Sequence, residues 1–232
     1  MIYVTADLHG DYTKYTVLLE KINLSSKDAL VILGDVIDRG SQGIKILMDI
    51  MGRDNVFMLL GNHEQIALAC LEVLGQEITE ESIANLEAAT TDMLVEWLYN
   101  LGGQATLDGF SKLSQPDKEA VLAYLEELPL YEEFEINGQT YLLVHGGLEN
   151  FAPDKEMDDY TADELIWHRI DYGRRYFDDK MIMTGHTPTR NIDGHHVDRI
   201  YQNNGHIAMD CGAGFGGVLG CICLNTGEEF YV

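Results

Sequence analysis

One event recurs along this chain and constrains its fold more than any other: an apolar run of strand length stops at a side chain able to bind metal. IYVTA (2–6) stops at Asp7, with His9 two residues on; ALVILG (29–34) stops at Asp35; NVFMLLG (55–61) stops at Asn62 and His63. Later, QTYLLV (139–144) stops at His145 and KMIMTG (180–185) at His186. Short continuous apolar runs fit strands buried on both faces. After the first run, Tyr15, Leu18, Leu19 and Ile22 recur at helical spacing. Ile44, Leu47, Met48 and Met51 do so after the second, and Ile66, Cys70, Leu71 and Leu74 after the third. Apolar strands alternating with amphipathic helices predict an α/β protein with a largely parallel sheet in this half. In open α/β sheets ligands gather beyond the carboxyl ends of the strands. If the five strands share a sheet, or face one another across a sandwich, their terminal residues meet. A carboxylate–imidazole–amide donor set suits divalent transition metals, with enough ligands for two ions.

The remainder reads differently. Residues 75–130 have helical periodicity without a strand-like run and are expected to form a helical insertion beside the sheet. Within it, Ser114 or Gln115 before Pro116 marks a helix start. Strands return after residue 130, where Asn137-Gly138 between LYEEFEI and QTYLLV predicts a hairpin turn. HIAMDCGA, GVLGCICL and EEFYV read as short closing strands. His168, His195, His196 and His206 follow no motif and are read as surface or loop residues.

Charge narrows the function classes. Fifteen Lys and Arg against thirty-nine Asp and Glu give a net charge of −24, with no basic run to neutralise a phosphate backbone, so a nucleic-acid polymer is not an expected partner. Cys70, Cys211, Cys221 and Cys223 form no CxxC pair and are read as small core residues in a reducing compartment. No apolar run reaches a membrane-spanning length and the first residues lack a signal-peptide pattern, so a cytoplasmic location without membrane contact is expected.

DLHG (7–10), GDVIDRG (34–40), GNHE (61–64), VHGG (144–147) and GHTPT (185–189), in this order, resemble the metallophosphoesterase, or calcineurin-like, superfamily. GDVIDRG and GNHE resemble its serine/threonine phosphoprotein phosphatases, as does the C-terminal DCGAGFGGVLGCICLNTGEEFYV. The resemblance implies an α/β fold: a β-sandwich flanked by helices (α-β-β-α) in one domain over 1–232, with 75–130 inserted. It implies that Asp7, His9 and Asp35 hold one divalent metal, and that Asp35, Asn62, His145 and His186 hold a second, Asp35 bridging. Manganese is the first expectation, with iron or zinc as alternatives. His63 is implied as general acid, held by Asp38, and Arg39 and Arg169 as phosphate-binding groups. Arg174 and Arg175 lie close enough in sequence to compete with Arg169.

The first functional reading is a metal-dependent phosphomonoesterase of the serine/threonine protein phosphatase type, acting on a phosphorylated protein or peptide or a small phosphoester. The second is a diadenosine tetraphosphate hydrolase, since those enzymes share DxHG and GNH, although they generally lack the carboxylate at Asp38. The third is an inactive metal-binding scaffold. Leu60 bears on the choice: many protein phosphatases of the family have Arg directly before GNHE, whereas the dinucleotide hydrolases tend to be apolar there.

Overall fold

The computed structural model describes residues 1–74 and 88–232, and the helical reading of 75–87 lies outside the described residues. Strands β1 (Ile2–Thr5), β2 (Ala29–Ile32) and β3 (Val56–Met58) pair in parallel. β9 (Gly220–Cys223) runs antiparallel to β1, and β10 (Glu229–Tyr231) antiparallel to β9, giving the order β10-β9-β1-β2-β3. The second sheet has the order β4-β5-β6-β8-β7. It contains β4 (Tyr131–Ile136), β5 (Gln139–Val144), β6 (Lys180–Thr184), β7 (Tyr201–Asn203) and β8 (His206–Ala208). β5, β6 and β8 are parallel; β4 and β7 run antiparallel at the edges.

Period-two alternation makes this a sandwich. In β2, Leu30 and Ile32 join the helix-covered core while Val31, and Leu33 beyond it, face the layer between the sheets. β1 splits Tyr3 from Val4 in the same way, and β9 splits Cys221 and Cys223 from Ile222. From the other side, Leu143 and Met183 enter the inter-sheet layer, while Leu142, Val144 and Ile182 face an outer cluster. Strands apolar on both faces need cover on both, so layers stack outside each sheet. Helices α1 (Tyr12–Lys21), α2 (Gly43–Met51) and α3 (Asn62–Leu74) cover the first sheet. The expected α-β-β-α layering is present, and the five metal-capable strand ends come from both sheets.

The described part of the insertion is helical: α4 (Ala88–Val95), a π-helical turn (Glu96–Asn100), α5 (Gln104–Phe110) and α6 (Gln115–Glu126). Ser114 caps α6, its side chain accepting from the Asp117 N–H, with Pro116 in the first turn as the spacing predicts. Asn137 and Gly138 both take positive φ (54° and 80°), the two-residue turn that suits the twist of flanking antiparallel strands. All four cysteines are free and buried. Among the described residues no helix is long and apolar enough to cross a membrane.

His206 departs from the surface-or-loop expectation. It lies in β8, 1% exposed, donating from Nε2 to the Arg174 carbonyl at 2.7 Å between the rings of Tyr172 and Tyr176. A single His in a three-residue strand carries no periodic signal, so its burial is decided by the neighbouring aromatic loop.

Candidate metal centre and phosphate cleft

The strand ends after β1, β2 and β6 turn sharply into the site. Asp7, His9, Asp35, Asp38, Arg39 and His186 all hold left-handed backbone, with φ from 44° to 66°. Such conformations cost non-glycine residues about 1–2 kcal/mol each, and they collect where surrounding packing fixes functional side chains. Glycine allows the crowding at Gly61, where an added Cβ would lie 2.3 Å from Asp35 Oδ1.

The residues converge as two donor groups. His9, Asp35 and His63 offer nitrogen or oxygen atoms within 4.8 Å of one another, and so do Asp35, His145 and His186. Asp35 belongs to both. Asn62 joins the second group, its Oδ1 lying 2.9 Å from both His145 Nε2 and His186 Nδ1. Asp7 approaches from behind His186, accepting that residue's N–H at 3.0 and 3.1 Å on its two oxygens.

The donor chemistry fits cations. His145 places Nδ1 2.5 Å from the Leu33 carbonyl, and His9 places Nδ1 3.1 Å from that of Ile37. Donating there leaves the Nε2 lone pair of each neutral ring pointing inward. For His145 that lone pair faces Asp35 Oδ1 at 3.3 Å and Asn62 Oδ1 at 2.9 Å, acceptor against acceptor. A positive charge among them, whether proton or metal, resolves the conflict. Burial opposes protonation of His145, yet Asp35 outweighs it and raises the pKa. Burial resists ionisation of Asp35 too, but His145 and His63 hold it well below the usual carboxylate range. Burial lowers His9 and His186 to about 3, leaving both rings neutral. Asp7 is pushed well up by burial and by the charges of Asp210 and Asp35, as expected where carboxylates crowd.

His63 stands apart. Its Nδ1 donates to Asp38 Oδ2 at 2.7 Å, and Nε2 faces the cleft. Burial disfavours its charge, but Asp35 and the Asp38 hydrogen bond outweigh that and raise its pKa. The Arg39 guanidinium bridges the first group, 2.7 Å from His9 Nε2 and 3.2 Å from His63 Nε2. Arg169 lines the same cleft and donates to the His186 carbonyl and to Thr187 Oγ1, both at 3.1 Å. Its sequence competitors are engaged elsewhere: Arg174 lies over Phe151 and Tyr176, and Arg175 bonds the carbonyls of Phe177 and Asp178. The cleft has a volume of about 490 Å³.

Four residues here have no role assigned from the sequence. Glu64, fully buried, accepts backbone N–H groups from Asp35, Val36, Ile37 and Gly61 at 2.8–3.2 Å, tying the GDVIDRG loop to GNHE. Burial pushes its carboxyl up to about 7, while the N–H donors pull the other way. Trp97 and Thr106, from the insertion, hold Asp38: the indole Nε1 is 3.2 and 3.1 Å from its oxygens, and Thr106 Oγ1 2.6 Å from Oδ1. Arg190 lines the cleft from the turn after GHTPT, with Nε 2.7 Å from Asp198. Glu64 had a signal, as the third polar residue in a row after Asn62 and His63. Leu60, by contrast, packs partly buried against the outer cluster of the second sheet and does not line the cleft.

The chain matches the calcineurin-like phosphoesterase family over residues 1–210. It is 25% identical over 196 residues to a symmetrical bis(5'-nucleosyl)-tetraphosphatase of Paracidovorax citrulli, an alignment covering 82% of this chain and 58% of that protein. With the enzyme of the same name from Azotobacter vinelandii it shares 36% identity over 102 residues, 42% of this chain and 36% of the relative. The chain thus spans well under two thirds of the length of these curated relatives. Among solved structures, a proposed diadenosine tetraphosphatase superposes with a TM-score of 0.67 at 17% identity, covering 100% of this chain and 92% of that one. A protein serine/threonine phosphatase of Saccharomyces cerevisiae superposes at 0.57 with 18% identity, covering 100% and 78%. These superpositions establish a shared fold. The family match spans nearly the whole chain and lies over the strand ends that carry the donor groups: this chain belongs to the calcineurin-like phosphoesterases, hydrolases that work with divalent metals.

Proposed function

We propose that the protein hydrolyses dinucleoside polyphosphates, splitting a tetraphosphate symmetrically between its second and third phosphates to give two nucleoside diphosphates. The observation that carries this reading is the number of cations facing one cleft. Arg39, Arg169 and Arg190 all line it, in a protein with fifteen Lys and Arg and a net charge of −24. A phosphomonoester presents one phosphate, whereas a tetraphosphate chain presents four and needs charge spread along the cleft. The curated relatives, named as symmetrical bis(5'-nucleosyl)-tetraphosphatases, support the same substrate class.

In this reading Asp7, His9 and Asp35 hold one divalent ion, and Asp35, Asn62, His145 and His186 hold the other. When bound, such ions lower the pKa of water and offset phosphate charge. The chain's own groups do the rest. Arg39 and Arg169 grip oxygens of the phosphate under attack; a phosphate oxygen is a stronger acceptor for Arg39 than the His9 nitrogen it now faces. His63, kept protonated by Asp35 and Asp38, gives its Nε2 proton to the departing oxygen. Water supplies the oxygen gained at phosphorus, and the P–O bond to the leaving nucleoside diphosphate breaks.

A second reading, a phosphomonoesterase acting on phosphoserine or phosphothreonine, is favoured by the Asp38–His63 pair within GDVIDRG and GNHE. Manganese-loaded protein assayed side by side on diadenosine tetraphosphate and a phosphopeptide separates the two. We expect ADP as the sole nucleotide product and the higher kcat/KM on the dinucleotide. Faster phosphopeptide turnover would reverse the assignment.

A further inference from the structure

Phe215 is 57% exposed and Trp167 40% exposed, and both line the phosphate cleft. Isolated exposed aromatics are ordinary, but a pair on one cleft is a feature of ligand sites. The two rings belong to different segments. Phe215 lies edge-on to His9, centroids 6.5 Å apart, with the Arg39 guanidinium 4.1 Å over its face. Trp167 lies two residues before Arg169, which donates to the His186 carbonyl. Phe215 thus adjoins the first donor group, while Trp167 lines the cleft from the segment that carries Arg169.

Both rings are held firmly although exposed. Phe215 ends a short turn, Ala213–Phe215, between Gly212 and Gly216, whose φ values of 76° and 78° favour glycine. Gly214 brings this turn against the His9 ring, where an added Cβ would lie only 2.3 Å away. Trp167 ends helix α7 (Ala162–Ile166), and its indole N–H donates to Gln65 Oε1 at 2.7 Å. A fixed flat ring loses little freedom when a second ring stacks on it. Arg190 adds a built cation to the same cleft: Nε faces Asp198, while Nη2 is buried with no hydrogen-bond partner among the described residues, 2.2 Å from where a Cβ on Gly212 would stand.

We propose that Phe215 and Trp167 stack the two nucleobases of a dinucleoside polyphosphate, whose phosphate chain runs past Arg39, Arg169 and Arg190. The assignment rests on the substrate reading above and names the side chains that select a ligand with a base at each end. Stacking uses the π-face common to all bases, so adenine and guanine are both accepted.

The test compares a ligand that has bases with one that has none. For each protein, the KM for diadenosine tetraphosphate is divided by the inhibition constant of inorganic tetraphosphate. Trp167→Ala and Phe215→Ala are each expected to raise this ratio about tenfold; Trp167→Phe and Phe215→Tyr restore most of it. A binding readout needs no turnover: ADP should quench the emission of exposed Trp167, and the quench should vanish in Trp167→Phe, where buried Trp97 alone remains. A ratio unchanged in both alanine variants overturns the assignment, because the rings would then serve only Arg39 or the fold. Absence of the quench overturns it for Trp167. Failure of the unsubstituted protein to cleave diadenosine tetraphosphate overturns the substrate reading itself, a result distinct from cleavage with a constant ratio.

Discussion

At His63 two carboxylates work against the cost of burial. Asp35 lies 3.9 Å from Nε2, and Asp38 accepts from Nδ1 at 2.7 Å. An acid catalyst must be protonated when the leaving oxygen departs, so in the role proposed for His63 the alkaline limb of the rate profile follows this imidazole. With its pKa raised, activity should hold through pH 6.5 and fall only above it. Asp38→Asn keeps the shape but removes one of the charges that hold the proton. The limb should move about one unit toward lower pH, and kcat should fall roughly 100-fold. Rates measured from pH 5.5 to 9 decide it; a limb that stays in place would assign the acid to another group.

The insertion reaches the site through one stretch: the π-helical turn, the glycines after it and Thr106 in the first turn of α5. Gly102, at φ 87°, turns its carbonyl to accept the Arg39 N–H at 3.1 Å. At Gly103 an added Cβ would fall 2.3 Å from the Trp97 ring, so glycine there lets the indole reach Asp38. Trp97→Phe fills most of the same space without the N–H. Asp38 would then offer a less shared charge to His63, and the alkaline limb should rise, opposite in sign to Asp38→Asn. A buried carboxylate that loses a donor should also cost about 1.5–3 kcal/mol in urea unfolding. An unmoved limb would leave Trp97 a packing residue. The contrast between GNHE and Trp97 explains what could be read in advance. Asp7, Asp35, Asn62, His145 and His186 each end an apolar run, and a strand buried on both faces leaves that signal in the sequence. Trp97, Thr106 and Arg190 reach the site only through tertiary packing of helices and turns. Locally Trp97 reads as one more apolar residue on a helix. Strand β7 was missed for a related reason: Tyr201–Asn203 is mostly polar at the edge of its sheet.

Across the whole molecule the charges of the site tie stability to pH and to metal. Groups whose pKa is raised on folding stabilise the protein at low pH and withdraw that stability as pH climbs. His63 and His145 do so above the unfolded histidine value near 6.5, and Glu64, raised to about 7, acts in the same direction up to that point. Asp7 and Asp210, the latter pushed up to about 6 by burial and Asp35, begin this loss at lower pH. His9 and His186, lowered to about 3, act oppositely, as does His206, which burial also lowers, until the unfolded imidazoles have lost nearly all their protons about one unit above 6.5. About one unit above the unfolded histidine value the lowered imidazoles no longer count, the remaining shifts share one sign, and metal-free protein should lose melting temperature as pH rises from about 7.5 to 8.5. Divalent metal replaces the protons that the donor groups were holding, so binding releases them and tightens with pH. Manganese at about 100 times its dissociation constant should stabilise by about 2.7 kcal/mol, or roughly 5–10 °C for a chain of this size. The decisive measurement is the manganese-induced shift at fixed metal concentration across that range. It should grow with pH in the unsubstituted protein and be largely lost in Asp35→Asn, where the carboxylate common to both groups is gone. A shift that shrinks as pH rises, or survives that substitution intact, would place the metal away from these strand ends.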